Sequence, residues 1–176
     1  MSLINWAKEN WAEAWTCEML RKHCGFKKVE MVDAGSACDA IATRTETIEI
    51  KTDYKAQNSG NLFIEYHNSH RKLASGIMSS TSTYYAIHAV HVGLFLYRTE
   101  FLRAAINRFI ETKPEWVRYS VGDKNSNGVL LPISHVEKFH ISQQLCQFIE
   151  FTHEEVNQFF NGLQTCELKN KQQLLI

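Results

Sequence analysis

The stretch TETIEIKTDYKAQNSGNLFIEYHN, residues 45–68, constrains the fold more than any other part of the chain. Ile48 and Ile50 alternate with Glu49 and Lys51. A period of two is what a strand presents when its apolar residues share one face. Asn58, Ser59 and Gly60 supply a turn, and Leu62–Tyr66 resumes strand character. Glu49 and Lys51 then stand together on the polar face, and Glu65 on the following strand shares its face with Asn61 and Phe63. Solvation explains such residues cheaply. An active site explains them only if other residues supply the missing parts.

Around this pair of strands the pattern alternates between helix and strand. A helical segment carrying Trp6, Trp11 and Trp15 runs from about Ser2 to Cys24 and ends at Gly25, a suitable C′ residue. Phe26–Val32 and Cys38–Arg44 read as strands, Thr81 to about His88 as helix, and Val90–Tyr97 as a buried strand. Leu102, Ala105, Ile106 and Phe109 mark a helix over Glu100–Ile110. Trp116–Val121 and Gly128–Leu131 flank a turn at Asp123–Asn127 and predict a hairpin. Thr152-His153-Glu154-Glu155 has the spacing of a capping box and opens a final helix through Phe160. The order predicts an α/β or α+β fold, a mixed sheet flanked by helices. With no repeat, low-complexity tract or linker, residues 1–176 are expected to form one domain.

Composition sets the outer limits. A 44% hydrophobic, 22% charged chain is that of an ordinary globular protein, and its formal charge of zero argues against a basic coat for nucleic acid. Local basic clusters remain at Lys22, Lys27 and Lys28 and at His70, Arg71 and Lys72. No apolar run reaches the roughly 18–20 residues that span a bilayer. Met1–Trp6 lacks signal-peptide character, so a cytoplasmic, intracellular location is expected, with no membrane partner. Five cysteines without a CxxC predict reduced thiols. His67-x-x-His70 and His88-x-x-His91 have no adjacent cysteine or catalytic glutamate and do not make a zinc site.

The chemistry that best fits the polar face is phosphodiester hydrolysis. It requires a divalent cation on hard oxygen ligands and a nearby ammonium group to stabilise charge or position water. Asp39 near the start of one strand and Glu49 on the next can meet across the ladder. Lys51 lies about 7 Å beyond Glu49 on the same face, at about 3.3 Å per residue.

Asp39-x9-Glu49-x-Lys51 resembles the signature of the PD-(D/E)XK nuclease superfamily, with Cys38-Asp39 in place of Pro-Asp. Gly60-Asn61-x-x-Ile64-Glu65 and Ser75-Gly76-Ile77 with Thr81 are similar to members from phages and bacteria. The resemblance covers roughly Glu13–His88. It implies a restriction-endonuclease-like core and Mg²⁺ or Mn²⁺ held by Asp39, Glu49 and the Ile50 carbonyl. Lys51 would orient or activate water. It also implies an acidic residue on the first helix. Glu13 shares a helical stripe with Cys17, Leu20 and Cys24, whereas an ion pair with Lys22 suffices for Glu18. Glu13 is therefore either the expected site carboxylate or a surface one. Glu65 is an assisting carboxylate, a ligand for a second cation, or an edge-strand residue. Ser75 and Thr81, at a tight turn into a helix, with His70, Arg71 and Lys72, would meet DNA phosphates; a plain surface loop is the alternative.

Size and first-helix pattern resemble Holliday-junction resolvases, which implies branched DNA as substrate and a homodimer. RNA cleavage by the same fold, a non-catalytic nucleic-acid-binding module and an interaction protein with exposed carboxylates are the rival readings.

Overall fold

The computed structural model describes residues 3–33, 36, 38–42, 46–119 and 125–173. Helix α1 (Leu3–His23) precedes the short strands β1 (Glu30–Met31) and β2 (Ala40–Ile41) and the seven-residue β3 (Thr47–Asp53). A helical turn, α2 (Ala56–Ser59), leads into β4 (Asn61–Asn68) and β5 (Leu73–Ala74). After a 3-10 turn at Gly76–Met78 come β6 (Tyr84–Ala89), β7 (Gly93–Arg98) and α3 (Thr99–Thr112). The chain ends with β8 (Val117–Arg118), β9 (Ser126–Pro132), α4 (Ile133–His135) running into a π-helical turn at Val136–Ile141, β10 (Cys146–Ile149) and α5 (His153–Gln173).

The fold is α+β, with two sheets. The larger is mixed, in the order β1-β2-β3-β6-β7-β10; among the described residues only β3 and β6 run parallel. The smaller is antiparallel, β5-β4-β9-β8. Side-chain alternation sorts the core into two layers. Ile48 and Ile50 of β3, Ala86 of β6 and Leu94 and Leu96 of β7 pack against Trp15, Met19 and Leu20 of α1 and Phe159 of α5. The opposite faces of β6 and β7 (Tyr85, Ile87, Phe95, Tyr97) pack against α3 and against Leu62, Ile64, Val129 and Leu131 of the smaller sheet. Glu49 and Lys51, out of phase with Ile48 and Ile50, thus face the side on which the smaller sheet lies.

Several sequence expectations need correction. Residues 84–89 form a strand, not a helix: β6 is buried on both faces, so it lacks the alternation that would mark it as one. The strand of Glu65, which follows β3 in sequence, is not its neighbour in a sheet. It pairs with β5 and β9, because the return through α2 carries the chain to the other sheet. Strand β10 was not foreseen. The expected hairpin is present as β8 and β9, with Val117 opposite Val129; residues 43–45 and 120–124, parts of the predicted strand and turn, lie outside the described residues. Gly25 ends α1 as expected, at φ +73°.

Lys22 reaches not Glu18 but Glu155, at 2.6 Å. Glu155 completes the predicted capping box: its Oε2 accepts from the Thr152 N–H (2.8 Å), while its own N–H donates to the Thr152 hydroxyl (3.2 Å). Its Oε1 meets Lys22 Nζ and His23 Nε2, the latter at 2.8 Å. This buried carboxylate joins the end of α1 to the start of α5. Farther along, the two helices approach closely enough that a methyl on Gly162 would lie 2.1 Å from the Trp11 indole.

Burial by itself would raise the Glu155 pKa. Hydrogen bonds from Lys22, the Thr152 N–H and His23 overcome it and hold the carboxyl at about 2, below the ordinary 4.5. A depressed carboxyl pKa gives stability that is complete above about 4.5 and lost as pH falls toward about 2. Glu155→Gln is expected to lower stability by on the order of 2 kcal/mol at neutral pH, measured by urea denaturation. The difference from wild type should shrink below about pH 4.5; a constant difference down to acid would rule out the charge as its source.

Candidate active site

Strand β3 outruns its neighbour β2. Ala40 and Ile41 pair with Ile48 and Thr47, so Ile50 lies beyond the end of β2 with its edge open. Asp39 fills part of that edge. Its N–H donates to the Ile48 carbonyl (3.0 Å), its carbonyl accepts from the Val32 N–H (3.1 Å), and its carboxylate Oδ2 accepts the Ile50 N–H (2.6 Å). Continuing the register by one step sets Asp39 opposite Glu49, the distance over which cross-strand side chains interact. Glu49 Oε1 lies 2.6 Å from Lys51 Nζ; the carboxylate side chain is 17% exposed and the lysine 47%.

Glu13 approaches from α1. Its carboxyl is pushed up to about 7, first by burial and then by the Asp39 charge, with Glu9 and Glu49 adding to this against the pull of Lys51. Glu18, by contrast, is exposed. The Lys51 ammonium shows the converse. Burial pulls its pKa down, but the charge and hydrogen bond of Glu49, then Asp39 and Glu13, raise it on balance. These residues form one electrostatic cluster in which lysine holds its proton and Glu13 exchanges one near neutrality. Cys17 and Cys38 lie beside the cluster with thiols pushed up by burial and the nearby carboxylates, which leaves them protonated and unreactive.

The second sheet brings the rest of the site. A cleft of about 1010 Å³ lies between Glu49 and Lys51 on one side and Asn61, Phe63 and Glu65 of β4 on the other. Glu65 Oε2 accepts from the Ser126 hydroxyl at 2.8 Å. Tyr85, the register partner of Glu49, is buried between the sheets; burial, then Glu49, Glu65 and Asp39, drive its hydroxyl pKa upward. Gly76 (φ +53°) sits against the Glu65 backbone, where an added methyl would lie 2.3 Å from its carbonyl oxygen.

The structure thus gathers Asp39, Glu49, Lys51 and Glu13 into one cluster and sets Glu65 across the same cleft. His70, Arg71 and Lys72 are not brought to it. They are exposed in the turn between β4 and β5, where the Arg71 N–H caps on the Asn68 side chain (2.9 Å). No helix begins after Thr81, since β6 follows. Ser75 precedes the 3-10 turn, with its hydroxyl buried and unpartnered. Thr81 lines a separate cavity of about 650 Å³, with Ser82, Arg98, Thr99 and Arg103, near the start of α3. His88 stacks on Trp15 in the core with its pKa lowered to about 3 by burial, as a neutral packing residue.

Cleft residues that sequence reasoning missed include Asp53, Tyr54, Lys55, Arg118, Tyr119 and Ser126. Asp53 continues the alternation of Glu49 and Lys51 by one more step, and its Oδ2 accepts the Phe63 N–H (2.9 Å) while Oδ1 accepts that of Lys55 (2.9 Å). Arg118 and Tyr119 arrive from the far hairpin, and nothing local in the sequence announces them.

Among the described residues, no three His, Cys, Asp or Glu side chains converge as a ready-made metal cage. Asp39 and Glu49, opposed across β2 and β3, nevertheless offer hard oxygen donors, and Glu13 takes a proton at a pH where carboxyls are normally ionised. Burial, then the Asp39 charge, is the cause of that shift. Compared with protein-family models, curated proteins and solved structures, the chain matches none.

In protein stripped of divalent cations, the sign for Glu13 is opposite to that for Glu155. A raised carboxyl pKa gives a contribution that is complete below about 4.5 and lost as pH rises through about 7. Glu13→Gln is expected to exceed wild type in stability by on the order of 2 kcal/mol at about pH 8 and to match it at about pH 4. Urea denaturation at the two pH values tests this; equal stability at the higher pH would remove Glu13 from the cluster.

Proposed function

We propose that the protein is a metal-dependent endonuclease that hydrolyses DNA phosphodiester bonds, with a restriction-endonuclease-like core. The observation that carries this reading is the Lys51–Glu49 ion pair, set one cross-strand step from Asp39 and opening into a cleft. The succession α1, β1, β2, β3, with β6 returning parallel to β3, supports the assignment of the core.

Asp39 and Glu49, with the Ile50 carbonyl, are the residues that would hold Mg²⁺ or Mn²⁺. When bound, the ion supplies Lewis-acid polarisation of the scissile phosphate. The protein's own groups divide the remaining work. Lys51, kept protonated by its carboxylate neighbours, is a cation and not a base; it stabilises negative charge on a non-bridging phosphate oxygen. Glu13, with a carboxyl near 7, is matched to accept the proton of the attacking water. As water oxygen bonds to phosphorus, the bond to the leaving sugar oxygen breaks, and solvent protonates that oxygen. Glu65, fixed by Ser126 across the cleft, orients water or substrate.

The reading is tested with linear, circular, single-stranded and branched DNA, and RNA, in Mn²⁺ with an EDTA control. Lys51→Ala is expected to reduce cleavage by on the order of 100-fold or more while Mn²⁺ binding by calorimetry persists. Glu49→Ala should weaken Mn²⁺ binding by more than about tenfold. Undiminished cleavage by the first variant, or unchanged Mn²⁺ affinity in the second, would overturn these assignments.

A further inference from the structure

The cleft carries a feature that phosphodiester hydrolysis does not require. Five large aromatic side chains are exposed among the described residues, and three of them line this one cleft: Tyr54 (47% exposed), Phe63 (40%) and Tyr119 (70%). Among the described residues none of the three is stacked on another ring of the chain. Leaving aromatic surface in water is unfavourable at roughly 25 cal/mol per Å², so three such rings grouped beside ionic residues call for an occupant with flat faces.

The best-fixed of them is Phe63. Its ring lies over Gly128 of β9, so closely that a methyl at that glycine would come within 2.2 Å of the ring. The ring is therefore seated against the β9 backbone while 40% of the residue stays exposed along the cleft. Its own N–H is held by Asp53, two residues beyond Lys51 on the same face of β3. The platform is thus tied to the strand that carries the lysine. Cations accompany the rings: Lys51, Lys55 and Arg118 line the same cleft. The Arg118 guanidinium is steadied by the carbonyls of Glu115 (2.7 Å) and Val117 (2.9 Å).

We infer that the cleft accepts unpaired nucleotides, so that the substrate is a DNA strand in single-stranded or locally unpaired form. Its bases stack on Phe63 and Tyr119 and its backbone runs past Lys51. This rests on the reading of the cleft as a nucleic-acid site and adds the form of the nucleic acid. In a duplex each base already stacks on its neighbours, and presenting a face to a protein ring requires extrusion, at a cost of a few kcal/mol. An unpaired strand presents its faces freely, and each base stacked on an aromatic side chain gains about 1–3 kcal/mol. At about 1.4 kcal/mol per tenfold, that is roughly a 5- to 150-fold preference per base.

The test is binding of one fluorescein-labelled DNA strand, alone and annealed to its complement, followed by anisotropy in EDTA. The same molecules are assayed for cleavage in Mn²⁺. The unpaired strand is expected to bind at least about tenfold tighter than the duplex. Phe63→Ala and Tyr119→Ala should each lose about 5-fold or more on the unpaired strand and leave duplex binding nearly unchanged. Phe63→Tyr and Tyr119→Phe, which keep the ring, should restore wild-type affinity, separating stacking from misfolding. Equal binding of both forms by wild type, or equal losses on both in the alanine variants, would overturn the inference. Ring-dependent binding of unpaired DNA without any Mn²⁺-dependent cleavage would uphold it and defeat the nuclease reading instead.

Discussion

Three carboxylates crowd around one ammonium group beside the open edge of β3, and the surrounding fold can be read as the means of holding them there. Asp39, Glu49 and Glu13 repel one another and Lys51 offsets part of that repulsion; burial first, and then the Asp39 charge, pushes the Glu13 carboxyl up to about 7. Unrestrained side chains would separate into solvent. Here Asp39 is pinned by three hydrogen bonds, two through its backbone and one from the Ile50 N–H to its carboxylate. Glu13 is carried by a helix whose far end is tied to α5 through Glu155. One carboxylate is thus kept ionised by its partners so that helix α1 stays in place, while another is left short of partners in the site that α1 serves. The opposite shifts of Glu155 and Glu13 mark this difference between a carboxylate supplied with hydrogen-bond donors and one buried beside like charges.

The short length of β2 is the second constraint. Had β2 matched β3 residue for residue, the Ile50 N–H and carbonyl would be spent in the ladder, and Asp39 would be an ordinary strand residue. Because β2 pairs only through Ala40 and Ile41, the Ile50 N–H is left to the Asp39 carboxylate, which is thereby held beside Glu49.

Much of this was legible in the sequence where a residue's role is set by its near neighbours. The alternation around Ile48 and Ile50 specified β3 and the shared face of Glu49 and Lys51. Helical phase separated Glu13 from Glu18, and the Thr152–Glu155 spacing located the start of α5. What was misread depended on distant partners. Tyr84–Ala89 lies between α1 and α5 on one side and α3 and the second sheet on the other, and a strand buried on both faces loses the period of two. Lys22 had a sufficient partner at Glu18, yet a buried carboxylate on another helix is the stronger acceptor. Arg118 and Tyr119 enter the cleft through the pairing of β8 with β9 and of β9 with β4, which no local pattern encodes. The acidic pair and lysine could be expected to meet; the cleft they open into could not.

Asp53 shows how the two sheets come to share that cleft. It is the third polar residue of the series begun by Glu49 and Lys51, and by period alone it could have been another ligand. Its two oxygens are instead taken by the N–H groups of Lys55 and Phe63. The first closes the turn that leaves β3. The second fastens the early part of β4, which belongs to the other sheet. A single side chain thus sets the spacing between the strand bearing Lys51 and the strand bearing Phe63 and Glu65. A carboxylate with both oxygens committed to backbone donors is a poor cation ligand. Its position in the series belongs to the geometry of the cleft rather than to its chemistry. The same alternation that lines up the reactive groups therefore also supplies the strut that holds the opposite wall in place.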